Sequence, residues 1–247
     1  MRKVYLLPNV FTTASLLCGV LALVDITIGR TVEACWLILL ALVLDGIDGK
    51  IARLTRTVSG FGLNYDSLAD IVSFGVAPGL LMLTYLEPIN LRLAASVSVL
   101  YIIFGALRLA RFNVQASSEE KKVFIGLPIP AAGGTIVSGF LLFQQYQHLA
   151  AQKVFLPILM VGLSYLMVSK IPYPSLRNIK VKKRNPFDYL VSISVIISML
   201  VFLNQFIELL VFIGFSMYIL WGIVQYMAEA IQKRKAESEA EEKESEV

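Results

Sequence analysis

A single histidine, His148, and two cysteines, Cys18 and Cys35, are all that this 247-residue chain holds of the side chains most used in nucleophilic and soft-metal chemistry. A catalytic triad built on histidine and a histidine metal site are therefore excluded, and the paired His or Cys nucleophiles of a lipid phosphatase are missing. The two cysteines lie inside apolar runs, without metal-ligand spacing and too few for a disulfide framework, so they read as small core residues. Charge is scarce too. Asp, Glu, Lys and Arg make up 16% of the chain, against about a quarter in ordinary soluble domains, and 57% is hydrophobic. With a mean hydropathy of +0.71, the chain falls in the membrane class. Its partner is the lipid bilayer, and no nucleic-acid partner is expected.

Apolar runs long enough to cross a bilayer lie at roughly 8–28, 32–55, 66–87, 92–114, 129–147, 153–169, 187–204 and 206–228. They predict an all-α integral membrane protein with about eight transmembrane helices. Of the 22 Lys and Arg, only Arg30, Arg92 and Lys153 fall in the connections after the first, third and fifth runs. The rest gather at the N-terminus, in the even-numbered connections, at adjoining helix ends and in the tail. By the positive-inside rule those regions are cytoplasmic, which puts both termini on the cytoplasmic face of the cell (inner) membrane. The first run begins directly after Arg2-Lys3, is long enough to span and shows no small-residue cleavage site, so it is expected to stay as the first helix.

Inside this apolar chain stand four aspartates at helical spacing. Asp45 and Asp48 are three apart, Asp66 and Asp70 four apart, so on helices each pair shares one face, and two such helices facing each other bring four carboxylates together. A charge at the bilayer centre costs at least ~2.5–3.5 kcal/mol on insertion scales, so an acidic cluster there marks a polar, water-filled cavity. A plainer reading is an ion-paired helix contact in which Lys50 and Arg53 neutralise two of the acids. That reading gives no reason for Gly49, Ala52 and Gly62, whose small side chains let a bulky ligand approach the backbone. Four close carboxylates call for hard divalent cations, Mg²⁺ or Mn²⁺, and Mg²⁺ usually shares its shell between carboxylates and substrate phosphates. A divalent-cation transporter is the non-enzyme alternative, but it leaves Arg53 beside the metals unexplained.

The stretch Asp45-Gly46-Ile47-Asp48-Gly49-Lys50-Ile51-Ala52-Arg53, followed by eight residues and then Gly62-Leu63-Asn64-Tyr65-Asp66-Ser67-Leu68-Ala69-Asp70, meets the pattern D-x2-D-G-x2-A-R-x8-G-x3-D-x3-D at every fixed position. In this the chain resembles the CDP-alcohol phosphotransferases, integral membrane enzymes of phospholipid synthesis. The resemblance implies two Mg²⁺ or Mn²⁺ ions held by Asp45, Asp48, Asp66 and Asp70, with Asp70 also the general base. It further implies a cytidine diphosphate pocket lined by Gly49, Ala52 and Gly62, with Ser59 binding the nucleotide. Arg53 offers the pyrophosphate a bidentate guanidinium. Pro8-Asn9-Val10-Phe11-Thr12 is similar to a P-N/D-x-x-T start in relatives. Asn9 and Thr12 would bind nucleotide or phosphate at a positive helix N-terminus, although proline at a helix start is also ordinary. Six helices would form the core, with its polar cavity open to the cytoplasm, and the protein would be a homodimer.

Residues 72–78, 107–113, 124–130 and 164–172 resemble the phosphatidylserine synthase branch of that family, which implies CDP-diacylglycerol and L-serine as substrates. Arg108 and Arg111, one helical turn apart, are candidates for the serine carboxylate, or else a positive-inside anchor pair. Asn113 would add a polar contact. The loop from Phe124 through Gly126 to Pro130 would close over the amino acid, the glycine permitting tight approach. Glycerol 3-phosphate would also suit two arginines, so glycerol 3-phosphate or inositol as acceptor, and an archaeal-type lipid donor, stay open. The expected organisation is a catalytic core at 1–177, a basic cytoplasmic connection at 178–186 attractive to anionic lipid, two additional transmembrane helices at 187–228 without a reactive constellation, and a charged cytoplasmic tail at 229–247.

Overall fold

Gly29 sets the first turn of the chain. With φ at 81° it takes the left-handed conformation that ends a helix most easily without a side chain, and it joins α1 (Leu6–Thr27) to α2 (Thr31–Leu54) as a helical hairpin. The structure, a computed structural model, describes residues 6–54, 59–117, 124–145, 152–173 and 206–245. Ser15 Oγ donates to the Ala41 carbonyl at 3.0 Å and pins the hairpin midway.

Next come α3 (Gly60–Asp70), a π-helical turn over Ile71–Val76 and α4 (Ala77–Leu86), together one 27-residue apolar stretch. It starts six residues before the 66 expected from hydropathy, because Ser59 caps it: its Oγ accepts from the Gly62 amide at 3.0 Å. The π turn has a cause in Pro78. Proline carries no N–H for the Phe74 carbonyl four residues back, and its ring crowds that carbonyl. The helix widens, the Ala77 amide reaches Val72, and the Phe74 carbonyl accepts instead from the buried Tyr101 hydroxyl at 2.9 Å.

Among the described residues the remaining helices are α5 (Leu91–Ser117), α6 (Ile129–Gln145), α7 (Gln152–Val168) and α8 (Ile207–Ser245). At 17 residues each, α6 and α7 sit at the lower end of spanning length. Among the described residues one pairing of strands interrupts the helices: β1 (Phe124–Ile125) pairs antiparallel with β2 (Pro172–Tyr173). Gly126, at φ 86°, follows β1, and its amide donates to Ile171.

Among the described residues four helical stretches are long and apolar enough to cross a membrane: Asn9–Thr27, Gly60–Leu86, Leu91–Val114 and Ile207–Gln232. α2 has the length but carries Glu33, Asp45 and Asp48. Apolar side chains such as Val20 and Val24 on α1, and Trp221 and Val224 on α8, are exposed, as bilayer-facing surfaces are. The helical membrane architecture thus stands; the expected run at 187–204, the basic connection at 178–186 and His148 lie outside the described residues. The charged tail continues α8 as helix to Ser245.

Candidate functional site

The α1–α2 hairpin and α3 meet at the acidic cluster. One carboxylate oxygen from each of Asp45, Asp48 and Asp66 lies within 4.8 Å of the other two. Like charges at that spacing repel unless cations offset them, and a set of three carboxylates fits a hard divalent ion rather than a soft one. Asp48 is only 5% exposed and accepts a 2.7 Å hydrogen bond from the buried Thr12 hydroxyl of α1. Asp70, also buried, stands outside the triple, within electrostatic reach of all three acids and of Arg108. Of the four aspartates expected to act together, three thus converge closely enough that they could hold a metal ion, with Asp70 beside them.

Beside this cluster Asn9, Ser59 and Gly62 come together. A Cβ on Gly62 would lie 3.1 Å from Ser59 Oγ and 3.5 Å from Asn9 Oδ1, so glycine there keeps the start of α3 open. The Thr13 and Tyr65 hydroxyls, 2.9 Å apart, bind α1 to α3 next to it. Thr12, expected on nucleotide or phosphate, is engaged with Asp48, and Ser59 serves as the helix cap. Gly49 follows Asp48 on α2. Ala52 and Arg53 close that helix, but their side chains lie outside the described set.

The five residues expected to bind the acceptor separate. Arg108 on α5 is buried, 6% exposed, with its guanidinium 5.3 Å from the Phe112 ring centre. Arg111 instead donates to the Val168 carbonyl at 3.0 Å and fastens the end of α7. Asn113 accepts from Ser67 Oγ at 3.0 Å and donates to Asn64 Oδ1 at 3.3 Å, clamping α5 to α3. What approaches Gly126 closely is the Met167 carbonyl, not an open pocket: a Cβ there would overlap it. Phe124 contributes its backbone to β1, and its side chain lies outside the described set. A cleft of about 300 Å³ between α3 and α5 has Asn64, Ser67 and Asn113 as its polar lining and Leu68, Ile71 and Leu109 among its apolar walls.

The last helices were expected to carry no reactive constellation; Tyr218 of α8 lies within electrostatic reach of Arg108. A tyrosine in an apolar run gives no sequence signal that separates this from packing.

The profile of the CDP-alcohol phosphatidyltransferase family matches residues 5–167. The chain is 40% identical over 228 residues to a Helicobacter pylori CDP-diacylglycerol–serine O-phosphatidyltransferase, spanning 92% of this chain and 93% of the relative. It is 34% identical over 226 residues to a Methanocaldococcus jannaschii protein of the same name, spanning 92% and 96%. To a Methanothermobacter thermautotrophicus archaetidylserine synthase it is 40% identical over 171 residues, 68% of this chain and 69% of the relative.

Proposed function

The chain belongs to the CDP-alcohol phosphatidyltransferase family, and on that premise we propose that it transfers the phosphatidyl group of CDP-diacylglycerol to the hydroxyl of L-serine, releasing CMP and forming phosphatidylserine. The observation that carries the chemistry is the convergence of Asp45, Asp48 and Asp66 with Asp70 beside them. The acceptor follows from the names of relatives aligned over nine-tenths of the chain.

Asp45, Asp48 and Asp66 would hold Mg²⁺ or Mn²⁺, two ions in the full site, which supply charge neutralisation of the diphosphate and stabilisation of the attacking and leaving oxygens. The chain's own residues do the rest. Thr12 fixes the rotamer of Asp48. Asp70, standing apart from the ligand triple, takes the serine hydroxyl proton as that oxygen bonds to the lipid-bearing phosphorus and the bond to CMP breaks. Arg53 holds the pyrophosphate, while Asn9, Gly49, Ala52, Ser59 and Gly62 line the cytidine side. Arg108 receives the serine carboxylate, while Arg111 holds the end of α7 and Asn113 holds α5 against α3 around it. The lipid enters along the cleft between α3 and α5. We place the reaction at the cytoplasmic face of the inner membrane, in a homodimer whose catalytic core is 1–177.

CMP release by the protein purified in detergent with Mn²⁺ and either CDP-diacylglycerol or CDP-archaeol tests this, with serine, glycerol 3-phosphate and inositol supplied in parallel. Release with serine alone, abolished by chelator, is expected. Release with another acceptor overturns the substrate, and release from a CDP-archaeol donor only would overturn the lipid.

A further inference from the structure

α8 is seated by small residues. The rings of Phe215 and Phe212 occupy the space that side chains on Gly134 and Gly139 of α6 would fill, and a Cβ on Gly222 would overlap the Tyr173 ring of β2. Phe212, Phe215, Ile219 and Gly222 recur at helical spacing, so one face of α8 is held against α6 and β2. Tyr218 shares that side, one turn before Gly222.

Three groups gather there. The Tyr218 and Tyr173 rings lie 5.8 Å apart, tilted by 34°. The Arg108 guanidinium is within electrostatic reach of both the Tyr218 hydroxyl and Asp70. Tyr173 is 2% exposed, and its hydroxyl has no hydrogen-bond partner among the described residues. A buried hydroxyl left unbonded is costly, and in a native protein it signals a missing partner. Burial and the neighbouring Tyr218 push this hydroxyl up to about 12, so it stays a donor through the neutral range. Two phenol hydroxyls and a guanidinium can all donate to an acceptor-rich anion, and Arg108 lies within electrostatic reach of the acid that would deprotonate an attacking alcohol.

We propose that Tyr218 and Tyr173 complete, with Arg108, a subsite for the carboxylate of the acceptor amino acid, so that α8 supplies a specificity-determining residue. This rests on serine being the acceptor. It gives α8 a role at the reaction centre.

The test is steady-state CMP release by the full-length protein at saturating CDP-diacylglycerol and Mn²⁺, with L-serine varied, for wild type, Tyr218→Phe and Tyr173→Phe. Each substitution keeps the packing ring and removes only the hydroxyl. A hydrogen bond to a charged group is strong enough that its loss should raise KM for serine roughly ten-fold, with kcat and KM for CDP-diacylglycerol unchanged. On the same preparations, L-serine should raise the melting temperature of wild type and do so less for the variants, a readout that needs no turnover. Serinol, which lacks the carboxylate, should gain relative to serine in both variants. An unchanged serine KM, or a fall in kcat with both KM values rising together as a loosened helix would give, overturns the subsite. Wild-type turnover with glycerol 3-phosphate or inositol but not serine overturns the subsite and the acceptor together, which separates the two failures.

Discussion

Asp48 and Asp70 are the same side chain in two settings, and their substitutions should part accordingly. Asp48 belongs to the converging triple and is gripped by Thr12, whereas Asp70 is a buried neighbour of it. Asp70→Asn is expected to lower kcat by about 10²–10⁴-fold, the usual worth of general-base catalysis, while Mn²⁺ binding measured by titration calorimetry persists. Asp48→Asn should abolish that binding. An Asp70→Asn protein that binds metal and turns over at the wild-type rate sinks the base assignment. Thr12→Val, close in shape, removes the 2.7 Å bond to Asp48 and should weaken metal binding about ten-fold through lost orientation of a ligand. The aspartates were legible in the sequence because spacing and the cost of charge in lipid both single them out. The division of labour between Arg108 and Arg111 was not, since two arginines a turn apart look alike until the end of α7 is seen to occupy one of them.

At the scale of the elements, the apolar runs give the helices but not their irregularities. The π turn after Asp70 follows from Pro78, which stands in the sequence, yet the partner that makes it tolerable is Tyr101, on another helix. Tyr101→Phe leaves the buried Phe74 carbonyl without its donor and should cost about 1–3 kcal/mol of stability, read as a lowered melting temperature in detergent; no change would mean that water or another group serves that carbonyl. The β1–β2 ladder is two residues per strand, too short for any periodicity to announce it. Gly126, read as room for a ligand, has a φ of 86° and the Met167 carbonyl against it, and both favour glycine. Gly126→Ala should therefore destabilise by about 2 kcal/mol or more, with the loss appearing in the melting curve. A fully stable Gly126→Ala would show that the end of α7 can move away.

For the molecule as a whole, the acidic cluster is a liability that ligands relieve. Carboxylates packed within 4.8 Å in a largely apolar protein repel, and that repulsion exists only in the folded state, because unfolding lets the three groups separate into higher dielectric. A cation that binds the folded site and not the unfolded chain must then stabilise the entire bundle, since α1, α2 and α3 all close on it. At a hundred times its dissociation constant such an ion adds about 2.7 kcal/mol. For a chain of this size that corresponds to a rise in melting temperature of roughly 5–10 °C. Mn²⁺ or Mg²⁺ should produce the rise, a chelator should reverse it, and the Asp45→Asn, Asp48→Asn, Asp66→Asn triple variant should melt higher than wild type in chelator yet gain nothing from metal. The first of those two results reports the repulsion and the second the site. A triple variant that is still stabilised by Mn²⁺ to the wild-type extent would place the ion elsewhere on the protein and remove the basis for the metal assignment.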